Sequence, residues 1–379
     1  MTTYQLLGDY IREVNVRNRD LKVTKPMGIN IDKHFMSSVA NVIGTDLSTY
    51  KLVSRMQFAC NLMHVGRDEK IPMAMLTEDK TIIVSPAYFV FEVIESNVLL
   101  PQYLMMWFRR KEFDRNAWFY TDADVRGGMS KEALLDMRLP IPSITRQREI
   151  VAEYETLTNR IRLNNQMIQH LETTAQALYR KTFVDNIDKE NLPEGWRMAE
   201  LGTLVDIKRG ASPRPIDQYM ATEGLPWLKI SDATSAKSPF IFKVKEFIKE
   251  EGLSHTVYRH AGDLVLSNSA SPGLPKFLEI DSCIHDGWLY FDNSTLPLTF
   301  LYLSFQYIRK DLVAEGNGAV FINLKTEILK KWEIILPQRD NLESFCNHVN
   351  TLFLLMKTTA LENSKLTELQ SLLLAKMGQ

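Results

Sequence analysis

The sequence predicts an α+β protein built twice: two β-rich globular modules, each closed by an apolar-Pro segment and a long heptad-patterned helix. Three observations predict it. Residues 139–142 (LPIP) run into Ile150, Tyr154, Leu157, Ile161, Ile168, Leu171, Ala175 and Leu178, apolar positions on a spacing of three and four. Residues 335–337 (ILP) run into Phe345, Val349, Leu352, Met356, then Leu366, Leu373 and Met377. An offset of 195 carries Pro142 to Pro337, Ile150 to Phe345, Tyr154 to Val349, Leu157 to Leu352, Ile161 to Met356, Leu171 to Leu366 and Leu178 to Leu373. A shared offset on a shared lattice marks two related halves.

In the first module, the runs 50–53 (YKLV), 81–84 (TIIV) and 88–94 (YFVFEVI) are β-branched and aromatic, as strands require. A short helix is expected over 101–110, opened by Pro101 in its first turn. A polar, glycine-containing loop (121–131) and another short helical stretch lead to Pro140. From about 145 to 183 there is no Pro or Gly, which predicts a helix of roughly 57 Å. Asn164 falls on its core lattice, where a polar residue costs stability and either fixes register or marks a helix end or a locally open seam.

Residues 185–196 (DNIDKENLPEGW) break the helix and read as a linker. The second module offers strands at 203–208, 226–230, 263–267 and 288–291. The closing helix, about 340–377, is apolar on more than one face (Leu352, Phe353, Leu354, Leu355; Leu372, Leu373, Leu374). It should pack on the first helix and on something else, for which a partner subunit is a candidate.

The 379 residues suit two domains plus connecting elements. A hydrophobic content of 45% and aromatic content of 10% fit a folded protein. No apolar run approaches membrane-spanning length and no signal segment opens the chain, so a cytoplasmic protein without membrane association is expected. Cys60, Cys283 and Cys346 lie far apart, which points to reduced thiols and to no metal site. The formal net charge of −1 argues against a free-standing, non-specific nucleic-acid binder. It leaves room for a reader that makes a few base contacts while a partner grips the backbone.

Taken in order, residues 50–76 with 84–93, 127–142 (GGMSKEALLDMRLPIP) with 147–150 (QREI), 192–202 (LPEGWRMAELG) and 262–266 (GDLVL) resemble the specificity subunit of type I restriction–modification systems. The resemblance covers essentially the whole chain. It departs from the family pattern after each Pro, where Arg146-Gln147 and Asn341-Leu342 replace an acidic-Gln pair, which bears on the capping of the helices. The resemblance implies two target-recognition domains, 1–142 and 185–337, and two long helices, 143–184 and 338–379, paired as an antiparallel coiled coil. Each domain would read one half of a split sequence in double-stranded DNA, and the helices would set the unread spacer. It also implies two methyltransferase (modification) subunits as partners, with restriction/translocase subunits in the full complex. The cofactors S-adenosylmethionine, ATP and Mg would belong to those partners, and none to this chain.

Reading bases needs side chains that make paired hydrogen bonds: Arg or Lys for guanine, Asn or Gln for adenine. Two acid-free stretches offer them. One holds Lys51, Arg55, Gln57, Asn61, His64 and Arg67; the other holds Lys208, Arg209 and Arg214 in a Gly- and Pro-rich loop leaving a strand. A third, 267–271, contributes Ser267, Asn268 and Ser269, with Lys276 just beyond. Arg126 beside Gly127-Gly128, and Asn317 between Gly316 and Gly318, sit where glycine allows close backbone approach or a tight turn. Trp227, Trp288 and the aromatics of 88–91 read as core.

No catalytic residue is expected. The chain lacks GxxxxGK[ST], GxSxG and HExxH, and the [ND]PP[YFW] tetrad of an adenine methyltransferase. His285-Asp286 could be half of a hydrolytic pair, but no nucleophile of known context accompanies it. The competing non-enzymatic class is a coiled-coil scaffold whose modules bind proteins and read no DNA.

Overall fold

The computed structural model describes residues 4–38, 44–63, 65–121, 127–185, 187–315 and 324–378. They form two compact units, Met1–Arg160 with Leu366–Gln379, and Ile161–Lys365.

The first unit carries strands β1 (Tyr4–Leu6), β2 (Ile11–Glu13), β3 (Pro26–Ile29), β4 (Phe35–Ser37), β5 (Lys51–Val53), β6 (Phe58–Cys60), β7 (Met73–Met75), β8 (Ile82–Val84), β9 (Phe89–Val93) and β10 (Arg138–Pro140). Its short helices are α1 (Val65–Asp68), α2 (Pro101–Phe108), α3 (Lys111–Phe119) and α4 (Lys131–Leu135), and α5 (Ile144–Phe183) begins in it. The strands form a β1-β10 pair and two four-stranded sheets, β2-β9-β6-β7 and β4-β3-β8-β5.

Strand alternation explains the packing. On β9, Phe89, Phe91 and Val93 join Phe58 and Cys60 in the core with α2 and α3, while Val90 and Ala59 face the other sheet with Val53, Ile82 and Val84. Phe91 stacks on Phe58 at 4.9 Å, and both meet Phe108 edge-on. The helix expected over 101–110 is α2, and a further helix, α3, follows it. Pro101 opens α2 as expected, but the chain breaks at Arg109-Arg110, where the Arg110 guanidinium folds back to 4.2 Å from the Trp107 ring.

The second unit follows with β11 (Arg197–Glu200), β12 (Asp206–Arg209), β13 (Met220–Ala221), β14 (Leu225–Leu228), β15 (Phe240–Ile241), β16 (Glu246–Ile248), β17 (Val257–Arg259), β18 (Leu264–Ser267), β19 (Pro275–Leu278), β20 (Ser282–Ile284), β21 (Trp288–Asp292) and β22 (Glu333–Leu336). Its helices are α6 (Ile230–Ser235), α7 (Leu298–Glu315), α8 (Thr326–Lys330) and α9 (Arg339–Lys376). The strand expected at 203–208 starts later. Leu201–Thr203 is a 3-10 turn, because Leu201, Leu204 and Val205 are buried on a helical rather than an alternating spacing.

The sheets repeat the first unit's plan. β11-β22 answers β1-β10, β12-β21-β18-β19 answers β2-β9-β6-β7, and β16-β14-β20-β17 answers β4-β3-β8-β5. In the last two of these sheets directions agree as well: β3/β8 and β14/β20 are parallel, and their neighbours are antiparallel.

The two long helices run antiparallel. In the first unit Gln370 donates to Thr158 (2.7 Å); in the second Asn363 donates to Asn165 (3.0 Å) and Asn164 to Glu362 (2.9 Å), so numbers fall on one helix as they rise on the other. Asn164 is 2% exposed, a satisfied polar group in the seam. Tyr154, Phe345, Val349 and Met356 are buried, and Ile150, Leu157, Ile161, Leu171, Leu352, Leu366 and Leu373 are half-buried. Leu178 is a correction: it is 37% exposed and Tyr179, at 4%, takes its place. A straight helix drifts against a strict seven-residue lattice, so by its last turns the buried face has moved to Ala175, Tyr179 and Phe183. There Phe183 meets Phe345 edge-on at 4.8 Å.

The glutamine kept at position 147, beside the departure at Arg146, also has a structural outcome. Its side chain is buried, donates to Val98 O and Pro142 O, and accepts from Leu100 N, tying α5 to the start of α2. Leu342, its counterpart, is buried by apolar packing instead.

Candidate nucleic-acid interface

In the first unit the candidate stretch coincides with β5, the turn after it, β6 and α1. Lys51 is 7% exposed, and its ammonium donates to Tyr88 O at 2.7 Å. It is turned inward and not available to DNA, because a buried ammonium takes a carbonyl partner. Gln57 has both ends of its amide engaged, accepting from Ser54 N (2.7 Å) and donating to Glu92 (2.9 Å). The Asn61 carboxamide oxygen caps its own turn at Met63 N. Arg55 is exposed and pairs with Asp79 at 2.8 Å. His64, Arg126 and Asn317 lie outside the described residues, as does the Arg67 side chain. Gly127 has φ of 57°, so this glycine serves a turn.

The second unit brings its candidates closer together. Lys208 and Arg209 end β12, and the loop beyond carries Arg214. Lys208 is exposed and pairs with Asp292 at 3.0 Å; that carboxylate also takes Arg259 at 2.9 Å. Arg209 donates through Nε to Asp286 O at 2.5 Å, with its Nη2 4.0 Å from the Asp286 carboxylate. Arg214, 80% exposed in its side chain, reaches the same carboxylate at 3.4 Å. Ser212 donates to the other Asp286 oxygen at 2.8 Å.

The third loop meets this group from β18. Asn268 donates to Asp286 O at 3.1 Å, and its backbone N–H donates to Gly287 O at 2.9 Å. Close approach is built in. A Cβ at Gly210 would lie 2.3 Å from His285 O, and one at Gly287 would lie 2.3 Å from the His285 ring and 2.6 Å from Ser269 Oγ. Ser269 is half-buried beside this turn. Ser267 is buried, donating to Ser271 O and accepting from Leu274 N, so it braces the loop from inside. Arg309 holds the same loop at Ser271 Oγ (2.9 Å) and Pro272 O (3.1 Å).

Three expectations are corrected here. Ser267 and Asn268 are buried and organise the loop; they do not face outward. Lys276 is 6% exposed, with its ammonium on Ala236 O (3.1 Å) and on Ser238 O. Burial pulls its pKa down to about 8.

Sequence reading missed Asp286 as an organiser. Burial works against its ionisation, but the Ser212 hydroxyl, with Arg209 and Arg214, outweighs burial and holds the carboxyl below its ordinary range. His285 is pushed down to about 4, by burial first, and its Nδ1 accepts from Gly287 N. The ring packs near Trp227 and Trp288, centroids 5.8 and 6.4 Å away, which gives His285 a packing role. Trp288 is core, with its indole N–H on Leu228 O. Among the described residues no cluster of His, Cys, Asp and Glu could hold a metal, and no helix is long and apolar enough to cross a membrane.

The geometry can therefore present an outward pair of arginines and a lysine on a rigid strand end, the chemistry of base-edge and phosphate contact. The chain is similar to several known proteins. Residues 193–371 match the family model for the type I restriction modification DNA specificity domain. The chain is 24% identical to the type I restriction enzyme HindI specificity subunit of Haemophilus influenzae, over 78% of this chain and 80% of that one. It is 19% identical to the putative type I restriction enzyme MjaX specificity subunit of Methanocaldococcus jannaschii, over 85% of this chain and 77% of the relative. The fold is similar to that of the type-I restriction-modification system S subunit from M. genitalium, with a TM-score of 0.54 and 13% identity, covering 100% of this chain and 96% of that one. Residues 193–371 are thus similar to a type I restriction modification DNA specificity domain, and the first half of the chain is built to the same sheet plan.

Proposed function

We propose that this chain is the DNA sequence-specificity subunit of a type I restriction–modification complex, each unit reading one half of a bipartite target. The observation that carries the reading is one sheet plan built twice with different polar chemistry at equivalent places. β12 ends in Arg209 beside Asp286, whereas β2 ends in Glu13, paired to Lys131. A constant scaffold with variable edges suits two different half-sites, as dimeric readers use two chains for two equal ones.

The chain itself does no chemistry in this reading. Methylation and cleavage belong to two methyltransferase subunits and the restriction/translocase subunits, which bring S-adenosylmethionine, ATP and Mg, and the complex works in the cytoplasm. The antiparallel helices hold the spacing. Leu354, Leu355 and Leu361 on the second unit's part of α9, and Leu369 and Leu372 on the first unit's part, are exposed. We assign these leucines to docking of the methyltransferase subunits, since isolated soluble surfaces seldom leave so many large apolar groups along one helix.

The test is long-read methylation mapping of DNA exposed to the chain with its cognate methyltransferase subunits, with a control reaction lacking the chain. A gapped motif with adenine-N6 methylation only when the chain is present is expected. Methylation indifferent to the chain would move the weight to a protein-binding scaffold.

A further inference from the structure

We propose that Asp286 is a positioning residue for base reading by the second unit, its carboxylate holding Arg209 and Arg214 in the orientation with which they meet base edges. The inference rests on the function proposed above and gives a part to a residue that the function leaves idle.

A guanidinium reads guanine through a planar fork, so its value in recognition depends on a fixed orientation. Arg214 is 80% exposed and on a loop, and without a holder it would sample many rotamers. Asp286 supplies the holder and is itself held. Its Oδ1 accepts from Ser212, and its carbonyl oxygen accepts from both Arg209 Nε and Asn268 Nδ2. Its Oδ2 is left for the arginines, 3.4 Å from Arg214 and 4.0 Å from Arg209. Arg209 is thereby hydrogen-bonded to the backbone oxygen of Asp286 and drawn toward its carboxylate.

Two alternatives explain the arrangement less well. An ion pair this exposed contributes little to stability, so folding alone gives small reason for it. A pure phosphate grip is also a poor fit, because one carboxylate cancels half the charge of two arginines. Orientation is what remains, and buttressing of this kind is how precise contacts are kept precise.

The experiment uses the full chain with its cognate methyltransferase subunits and unmodified genomic DNA, read by long-read methylation mapping. Wild type, Arg209→Ala, Arg214→Ala and Asp286→Asn are compared. The half-site altered by the arginine variants identifies the second unit's half. Asp286→Asn should broaden the same base positions as one or both arginine variants. Discrimination there should fall about ten-fold, the size of one good base contact, while the other half-site and the spacer stay unchanged. That unchanged half is the internal control for folding and assembly, which a merely structural role would not spare. An unaltered motif, a uniform drop in methylation, or broadening at positions untouched by either arginine variant would overturn the proposal. If Asp286→Asn does not assemble, Asp286→Glu, which displaces the charge by one methylene, is scored by the same comparison. A wild-type complex without a gapped motif would instead sink the function proposed above, and this inference with it.

Discussion

Lys276 lies on β19 with its ammonium against the carbonyls of Ala236 and Ser238, while Arg214 stands in solvent beside Asp286. Both are basic residues in or near loops of one sheet, and composition alone cannot rank them. The difference is direction, which for Lys276 is set by a β19 buried along its whole length. Lys276→Met keeps the apolar stem and leaves two buried carbonyls without that donor. It should cost about 2 kcal/mol, seen as a lower thermal midpoint, with the methylated motif unaltered. A changed motif would return Lys276 to the interface. Asp286 was not legible in this role for a different reason: it is far in sequence from Arg209 and Arg214, and only the pairing of β12 with β21 brings them together.

At the scale of elements, the long helices were the most legible part, because many turns of periodic apolar residues leave little else for the chain to be. α5 and α9 run over Ile144–Phe183 and Arg339–Lys376. The reading failed at Leu178, where a strict heptad overran the true pitch of the helix. Three-residue strands such as β6 and β7 were not legible, since three residues hold no measurable period. α7 was missed because it is apolar nearly all round and shows no stripe, with Phe300, Leu301, Tyr302, Leu303 and Phe305 all buried. A prediction belongs here. Inserting one heptad into both helices, between 160 and 161 and between 365 and 366, adds about 10 Å of helix. The recognised spacer should lengthen by about three base pairs, at about 3.4 Å each, with both half-sites kept. A motif with its original spacer would refute the helices as the ruler.

For the whole molecule, the duplication was visible in the helices and nearly invisible within the modules. The offset of 195 holds across the α5 and α9 lattices. It survives at β2/β12 and β10/β22 but fails between them: β5 at Lys51–Val53 answers β17 at Val257–Arg259, and β9 at Phe89–Val93 answers β21 at Trp288–Asp292. Loops of different length separate equivalent strands, so sheet order and strand direction preserve the relation that residue spacing loses. That is also why the recognition loops were hard to rank in advance: they are where the two halves differ most.

The exposed cations described above share a habit. Arg55 keeps Asp79, Lys208 keeps Asp292, and Arg209 and Arg214 keep Asp286. A DNA oxygen that takes Arg55 or Lys208 must displace its carboxylate, so contact there is an exchange of partners and not a simple gain, whereas Arg209 and Arg214 meet bases with Asp286 still in place. Fewer condensed ions then leave the duplex for each contact formed. In binding assays of the assembled complex across ionic strength, the logarithmic slope should fall below about 0.9 per basic contact, the value for phosphates met by free cations. A slope at the full value would mean that these carboxylates take no part. A shallow slope would mean that this reader trades raw affinity for tolerance of salt, holding a similar grip while the ionic surroundings change.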